Sequence, residues 1–309
     1  MATESVVAVL APARVHCHRI GTISVLLDYW ALTKPEITFL VAITTAAGFL
    51  MGTAAALPDF PWKSFLHALS GTAFVAGGAA TLNQLIELPH DARMRRTARR
   101  PLASGRMAPS HALWFGVALS TLGVVYLATS TNTLAASLAT LTLLGYLFVY
   151  TPLKRITPLC ILVGAIPGAA PPLIGWAAAR GHLDPAAWGL FAIIFLWQFP
   201  HFMSIAWMYR EDYARAGYLV LPSAENRNRF VKWQTVPASA VLFVIALLPA
   251  MSRLSGFAYL GGALVLGGTL LLYSTRFAIL LTNVAARQLL LVSILYLPAI
   301  FALLVLDKT

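Results

Sequence analysis

Polar residues in this chain gather in short blocks between long apolar runs, and no run alternates polar with apolar in the manner of a strand. Nine runs stand out, at 37–57, 64–88, 109–129, 133–151, 157–179, 186–208, 235–251, 257–274 and 288–306. Each comes close to the ~20 mostly apolar residues that a helix needs to cross a bilayer. Gly and Pro recur inside them, as in "GAIPGAAPPLIGW" at 164–176. Small residues let helices approach closely, and burial among neighbours tolerates the kinks. The pattern predicts an all-α membrane protein, a nine-helix transmembrane bundle forming one domain over 1–309, with residues 1–36 as a cytosolic tail and helix lead-in. Two connections are long, 89–108 and 209–234, and loops of that length in a compact protein are usually functional.

Composition sharpens this picture. The chain is 59% hydrophobic and only 11% charged, against about 25% charged in soluble domains, so most of it has no water to face. The net charge of +11 raises nucleic acid as a partner. The basic residues, however, lie between apolar runs and form no continuous wet surface, so no nucleic acid is expected. With nine alternating spans, 18 of the 22 Lys and Arg fall on one side of the membrane. That bias puts the N-terminus and both long loops in the cytoplasm and the C-terminus opposite. A bacterial-type inner membrane suits the short N-terminal tail, and a mitochondrial one stays open. The first twenty residues have no basic region before their apolar stretch, so they do not form a secretory signal. Cys17 and Cys160 lie far apart and outside any C-x-x-C, and the His-Cys-His at 16–18 has no further ligands nearby; neither a disulfide framework nor a zinc site is implied.

Topology does not explain the acids in "NQLIELPHDARMRRTARRPL" at 83–102. Asn83, Glu87 and Asp91 are spaced i, i+4, i+8, which is one face of a helix. Pro89 falls inside that run and predicts a kink or an end there. Carboxylates near a span cost free energy and usually mark a functional site; the alternative is that Glu87 and Asp91 simply pair with the arginines that follow. Two carboxylates and an amide offer magnesium the hard oxygen ligands it prefers, with substrate phosphates completing the shell. The arginines that follow carry planar forks that suit phosphate oxygens. Together the two halves describe a Mg2+-dependent diphosphate pocket at the mouth of a bundle. Lys154 and Arg155, in "YTPLKRITP" at 150–158, end the fourth span on the same side, within reach of the same anion or as helix-end anchors. His201 lies inside the sixth span beside Pro200, where a polar ring needs a partner. Asp212 opens the second long loop, as a second metal ligand or a helix-end charge.

The pattern N-x3-E-x3-D-x2-M-x-R-T-x2-R-P-L at 83–102 resembles the first motif of the protohaem IX farnesyltransferases, or haem O synthases, of the UbiA-type intramembrane prenyltransferases. "LTKP" at 32–35, "YTPLKR" at 150–155, "GAIPGAAPPLIGW", "WQFPHF" at 197–202, "DYARAG" at 212–217 and "YLP" at 296–298 look like the same family. General UbiA-type enzymes usually have Asp where this chain has Glu87, and a second D-x3-D motif where Asp212 is followed by Ala216; both differences point to the haem branch. One departure from that branch is Val220, where its members usually carry Met before Leu-Pro.

The resemblance implies transfer of the farnesyl group of farnesyl diphosphate to a vinyl group of haem B, giving haem O and diphosphate, with haem A synthase as a downstream partner. It implies Mg2+ held by Asn83, Glu87 and Asp91, with Arg96 and Arg100 first on the diphosphate and Lys154 and Arg155 next. His201 would meet the haem as an iron ligand, a propionate contact or a positioning group. An aromatic quinone-precursor acceptor would need the same metal chemistry, and a non-catalytic carrier of haem or isoprenoid would also place acids and broken helices in a membrane.

Overall fold

A computed structural model describes residues 22–54 and 59–309. The tail residues 1–21, with Cys17 and its flanking histidines, lie outside the described residues, as do 55–57 at the end of the first expected span. The chain folds into helices: α1 Thr22–Leu32, α2 Pro35–Gly52, α3 Trp62–Ile86, α4 Leu88–Asp91, α5 Pro109–Ser130, α6 Thr133–Leu144, α7 Cys160–Ala169, α8 Pro171–Arg180, α9 Pro185–Met208, α10 Arg210–Ala216, α11 Ala224–Ile245, α12 Leu248–Met251, α13 Phe257–Leu280 and α14 Asn283–Leu306. A π-helical segment, Gly145–Tyr150, and one further turn, Thr151–Leu153, continue α6. Among the described residues the only β feature is a single bridge, Ser255 to Lys308. Nine helical stretches there are long and apolar enough to cross a bilayer, with α7–α8 and α11–α12 each forming one of them.

Local chemistry sets the helix ends. Proline opens α2, α5 and α9, where its missing N–H costs nothing and its fixed φ suits the first turn. The side chains of Asn132 and Thr282 accept from the backbone N–H groups of Ala135 and Ala285 and so cap α6 and α14. Gly181 closes α8 at φ 74°, a left-handed conformation that L side chains resist.

Residues 22–32, within the expected tail and helix lead-in, form α1, whose Ile23, Leu26 and Trp30 are exposed; eleven residues are too few to span a bilayer. The structure corrects one expectation. The connection expected over 209–234 is mostly helical, because α10 fills 210–216 and α11 begins at Ala224. Its first half, "AENRNRFVKWQT", is polar, so hydropathy passes over it although its residues tolerate a helix well.

The bundle is closed at its centre and apolar at its rim. Ala169, Leu190, Ile193, Met203, Tyr259 and Tyr296 are buried, whereas Phe39, Trp114, Leu141 and Leu295 each expose about 70% of their surface (67–70%). Side chains of that kind ask for lipid. Close packing depends on glycine where α2 crosses α8. A Cβ on Gly48 would overlap the backbone of Pro172, and one on Gly175 would overlap the Thr45 carbonyl. This approach holds the C-terminal half of α2 against α8.

Candidate active site

The acidic face survives a break in its helix. α3 stops at Ile86 and α4 restarts with Pro89 in its first turn, so Pro89 ends one helix as expected. Yet the Glu87 N–H donates to the Asn83 carbonyl (2.9 Å) and the Asp91 N–H to the Glu87 carbonyl (2.8 Å). These i to i−4 bonds carry the helical register through the junction. Asn83, Glu87 and Asp91 therefore stay on one face, all three buried, and all three line one cavity of about 400 Å³. That volume lies in the range of small-molecule sites.

Each member of the trio faces a cation. Lys154 Nζ lies 2.7 Å from Glu87 Oε1, and Arg100 Nη1 lies 2.6 Å from Asp91 Oδ2. Lys34 Nζ donates to Asn83 Oδ1 at 3.0 Å. Arg96 also lines the cavity; its guanidinium sits over the Tyr209 ring, 5.4 Å from the centroid, and it makes no ion pair among the described residues. Lys34, Arg96, Arg100 and Lys154 thus face two carboxylates. The excess positive charge at the cavity mouth has an obvious complement in a polyanion.

Burial separates the two lysines. Lys34 is pushed down to about 7, first by burial and then by the nearby Arg100. Burial also works against the charge on Lys154, but Tyr150 and Glu87 hold it above the ordinary lysine range. Burial works against the charge on Glu87 too, and Lys154 and Lys34 outweigh it, so its carboxyl lies below the usual range.

The π-helical segment supplies what the sequence reading missed. Its extra residue per turn brings Tyr146 and Tyr150 to the cavity wall, and such segments are frequent at functional sites. Thr151, next in line, accepts from Asn83 Nδ2 (3.1 Å) and donates to the Tyr146 carbonyl (2.8 Å), which fixes the amide's orientation. Lys154 lies over the Tyr150 ring at 4.5 Å. Tyr213, Tyr218 and Gln198 complete the polar lining. The quoted "YTPLKR", "WQFPHF" and "DYARAG" stretches contain Tyr150, Thr151, Gln198 and Tyr213, and no quoted stretch contains Tyr146. Lys34 stands in the quoted "LTKP" stretch, with no site role assigned to it from the sequence. Val220, the departure from the branch's usual Met, stands on the cavity wall.

Two expected residues stay outside the cavity. Arg155 points away, its Nη2 donating to the Ile86 carbonyl at 3.1 Å. Asp212 pairs with Arg215, one turn along α10, at 3.0 Å. Neither lines the cavity. His201 does, with Trp197 and Phe202.

The donor set is suited to magnesium rather than to a softer metal. No group of three or more His, Cys, Asp and Glu forms a metal cluster among the described residues, and the three candidate donors are carboxylate and amide oxygens. Among the described residues Lys34 is the polar partner of the Asn83 oxygen.

Comparison with known proteins bears on this arrangement. The pattern of the UbiA prenyltransferase family matches residues 39–305. A "Protoheme IX farnesyltransferase" of Solibacter usitatus is 48% identical over 287 residues, covering 91% of this chain and 98% of that protein. Among solved structures, a digeranylgeranylglyceryl phosphate synthase superposes with a TM-score of 0.74 at 16% identity, over 91% of this chain and 98% of its own. A UbiA homolog from Archaeoglobus fulgidus, bound to DMAPP and Mg2+, gives a TM-score of 0.59 at 17% identity, over 90% of this chain and 99% of its own. The solved structures share the fold.

Proposed function

Since the chain belongs to the UbiA prenyltransferase family and its curated relatives are protoheme IX farnesyltransferases, we propose that this prenyltransferase moves the farnesyl group of farnesyl diphosphate onto a vinyl group of haem B to give haem O. One observation carries the reading: a single cavity joins a mouth lined by Asn83, Glu87, Asp91, Arg96 and Arg100 to an interior lined by Trp197, His201 and Phe202. One end suits a diphosphate and the other a large apolar acceptor.

Asn83, Glu87 and Asp91 would hold Mg2+, a Lewis acid that neutralises charge on the departing diphosphate. The Archaeoglobus homolog's Mg2+ and DMAPP support a metal-dependent reaction, and the choice of these three residues rests on their shared cavity. Arg96, Arg100, Lys34 and Lys154 bind the diphosphate oxygens. Preorganised cations in a dry site stabilise the developing negative charge without reorganising. As the allylic carbon–oxygen bond breaks, its electron pair leaves with diphosphate. The vinyl π electrons then bond to the allylic carbon, and the cation left on the porphyrin-side carbon takes up water and releases a proton. The sum is haem B, farnesyl diphosphate and water giving haem O, diphosphate and a proton. The rings of Tyr146, Tyr150 and Phe202 shield the allylic cation from premature water.

A second, mostly apolar lobe of about 290 Å³ shares Lys34, Tyr146, Tyr150 and Phe202 with the first and continues past Ala76, Ala79 and Ala139. It gives the farnesyl tail room beyond the polar mouth. The mouth faces the cytoplasm, on the bias of the basic residues, in a bacterial-type inner membrane, and the haem O produced passes to haem A synthase.

The test is purified protein incubated with haem B and farnesyl diphosphate, with extracted haems analysed by chromatography and mass spectrometry. Haem heavier by a farnesyl group and a hydroxyl supports the reading. Intact substrates after long incubation would make the bundle a carrier, and prenylation of a quinone precursor alone would move the acceptor.

A further inference from the structure

His201 is joined to Ser293 across the α9–α14 contact, and hydrogen-bond bookkeeping fixes which nitrogen carries its proton. Ser293 has one hydroxyl proton. Its Oγ lies 2.7 Å from the Leu290 carbonyl oxygen, which can only accept, so the proton points there. His201 Nδ1 lies 2.9 Å from the same Oγ and must be the donor. A neutral imidazole has one N–H; with it on Nδ1, Nε2 keeps a bare lone pair.

The ring cannot easily turn away from this arrangement. It stacks on Trp197, with centroids 4.5 Å apart and planes at 22°. Trp197 is pinned in turn by an Nε1–H bond to the Ser293 carbonyl at 2.7 Å. His201 lines the cavity, and Nε2 has no hydrogen-bond partner among the described residues. It is the only histidine lining that cavity there.

A bare imidazole nitrogen, with the opposite nitrogen donating to a fixed oxygen, is the arrangement of a metal-ligating histidine. It cannot donate to a porphyrin carboxylate, because it has no proton to give. Resting on the haem acceptor proposed above, we infer that His201 Nε2 is the axial ligand of the acceptor's iron, with Ser293 setting its tautomer and Trp197 its ring plane. His201 sits seven residues before the end of α9 at Met208, roughly 10 Å from the cytoplasmic end at 1.5 Å per residue. Ligation there holds the porphyrin within the bundle, below the Glu87–Asp91 mouth, and presents its edge to the allylic carbon.

Resonance Raman of ferrous haem B bound to the purified protein, before farnesyl diphosphate is added, tests this. The wild type should show an iron–histidine stretching band. His201→Ala should lose it, and added imidazole should restore it. Ser293→Ala should keep the band at a shifted frequency, with haem affinity reduced about 10–100-fold. An unchanged spectrum in His201→Ala overturns the assignment, and so does a ligand signature lost only in Cys160→Ser, whose thiol also lines the cavity. Should His201→Ala fail to fold, the wild-type band and its shift in Ser293→Ala decide, and absence of the band refutes the ligand. A wild-type protein that binds haem B without the band sinks only this inference, whereas one that binds no haem B also sinks the acceptor.

Discussion

Glu87 and Lys154 are 67 residues apart in the chain and 2.7 Å apart in space. The pair ties the end of α3 to the turn after the π-helical segment and sets two opposite charges in a largely buried place. Lys154→Met would leave Glu87 buried without its partner, at a cost of about 3–5 kcal/mol. Thermal unfolding in detergent should show a clear fall in Tm. Adding Glu87→Gln should recover much of that stability and none of the turnover. A double variant as unstable as the single one would show that the pair is not the source of the loss.

Lys34 makes the pH profile informative. Its pKa of about 7 means that above neutral pH the free protein increasingly holds a neutral amine. An arriving diphosphate raises that pKa, so binding above about pH 7 takes up a proton and weakens as pH rises. The KM for farnesyl diphosphate should climb between pH 7 and 9, by at most about tenfold per unit. Lys34→Arg keeps its charge and should flatten the climb. A wild-type KM independent of pH over that range would remove Lys34 from the diphosphate site.

Helix contact at α2 and α8 predicts a sharp contrast between glycines. Gly175→Ala places a methyl group on the Thr45 carbonyl, while Gly189→Ala meets open space. Overpacking of a well-packed contact costs about 1–3 kcal/mol. Gly175→Ala should lower both Tm and turnover, and Gly189→Ala should change neither. Equal behaviour of the two variants would contradict the close crossing.

Spans were legible in the sequence because an uninterrupted apolar run has few other places to go than lipid. Nine expected runs correspond to nine stretches among the described residues. The polar half of α11 and the exposed α1 were not, since hydropathy records where lipid lies rather than where helices begin. Asn83, Glu87 and Asp91 were legible as a cluster because periodicity alone puts them on one face. The roles of Lys34, Tyr146, Tyr150 and Thr151 were not, because they depend on a π-helical register and on the contact of Lys34 with Asn83, 49 residues away, that no local pattern announces. Asp212 and Arg155 show why suitable chemistry in the sequence does not by itself place a residue: their partners in the structure are Arg215 and the Ile86 carbonyl, which fits the helix-end roles left open for them.

The most direct measurement is release of diphosphate from farnesyl diphosphate in the presence of haem B, followed against Mg2+ concentration in the wild type and in Asp91→Asn. Wild-type release should saturate with Mg2+ and stop on chelation. Asp91→Asn should insert normally and lose about 10²–10³-fold in turnover, the usual scale for removing one preorganised electrostatic group. Full activity of Asp91→Asn with Mg2+, or wild-type release that chelation leaves untouched, would contradict the account.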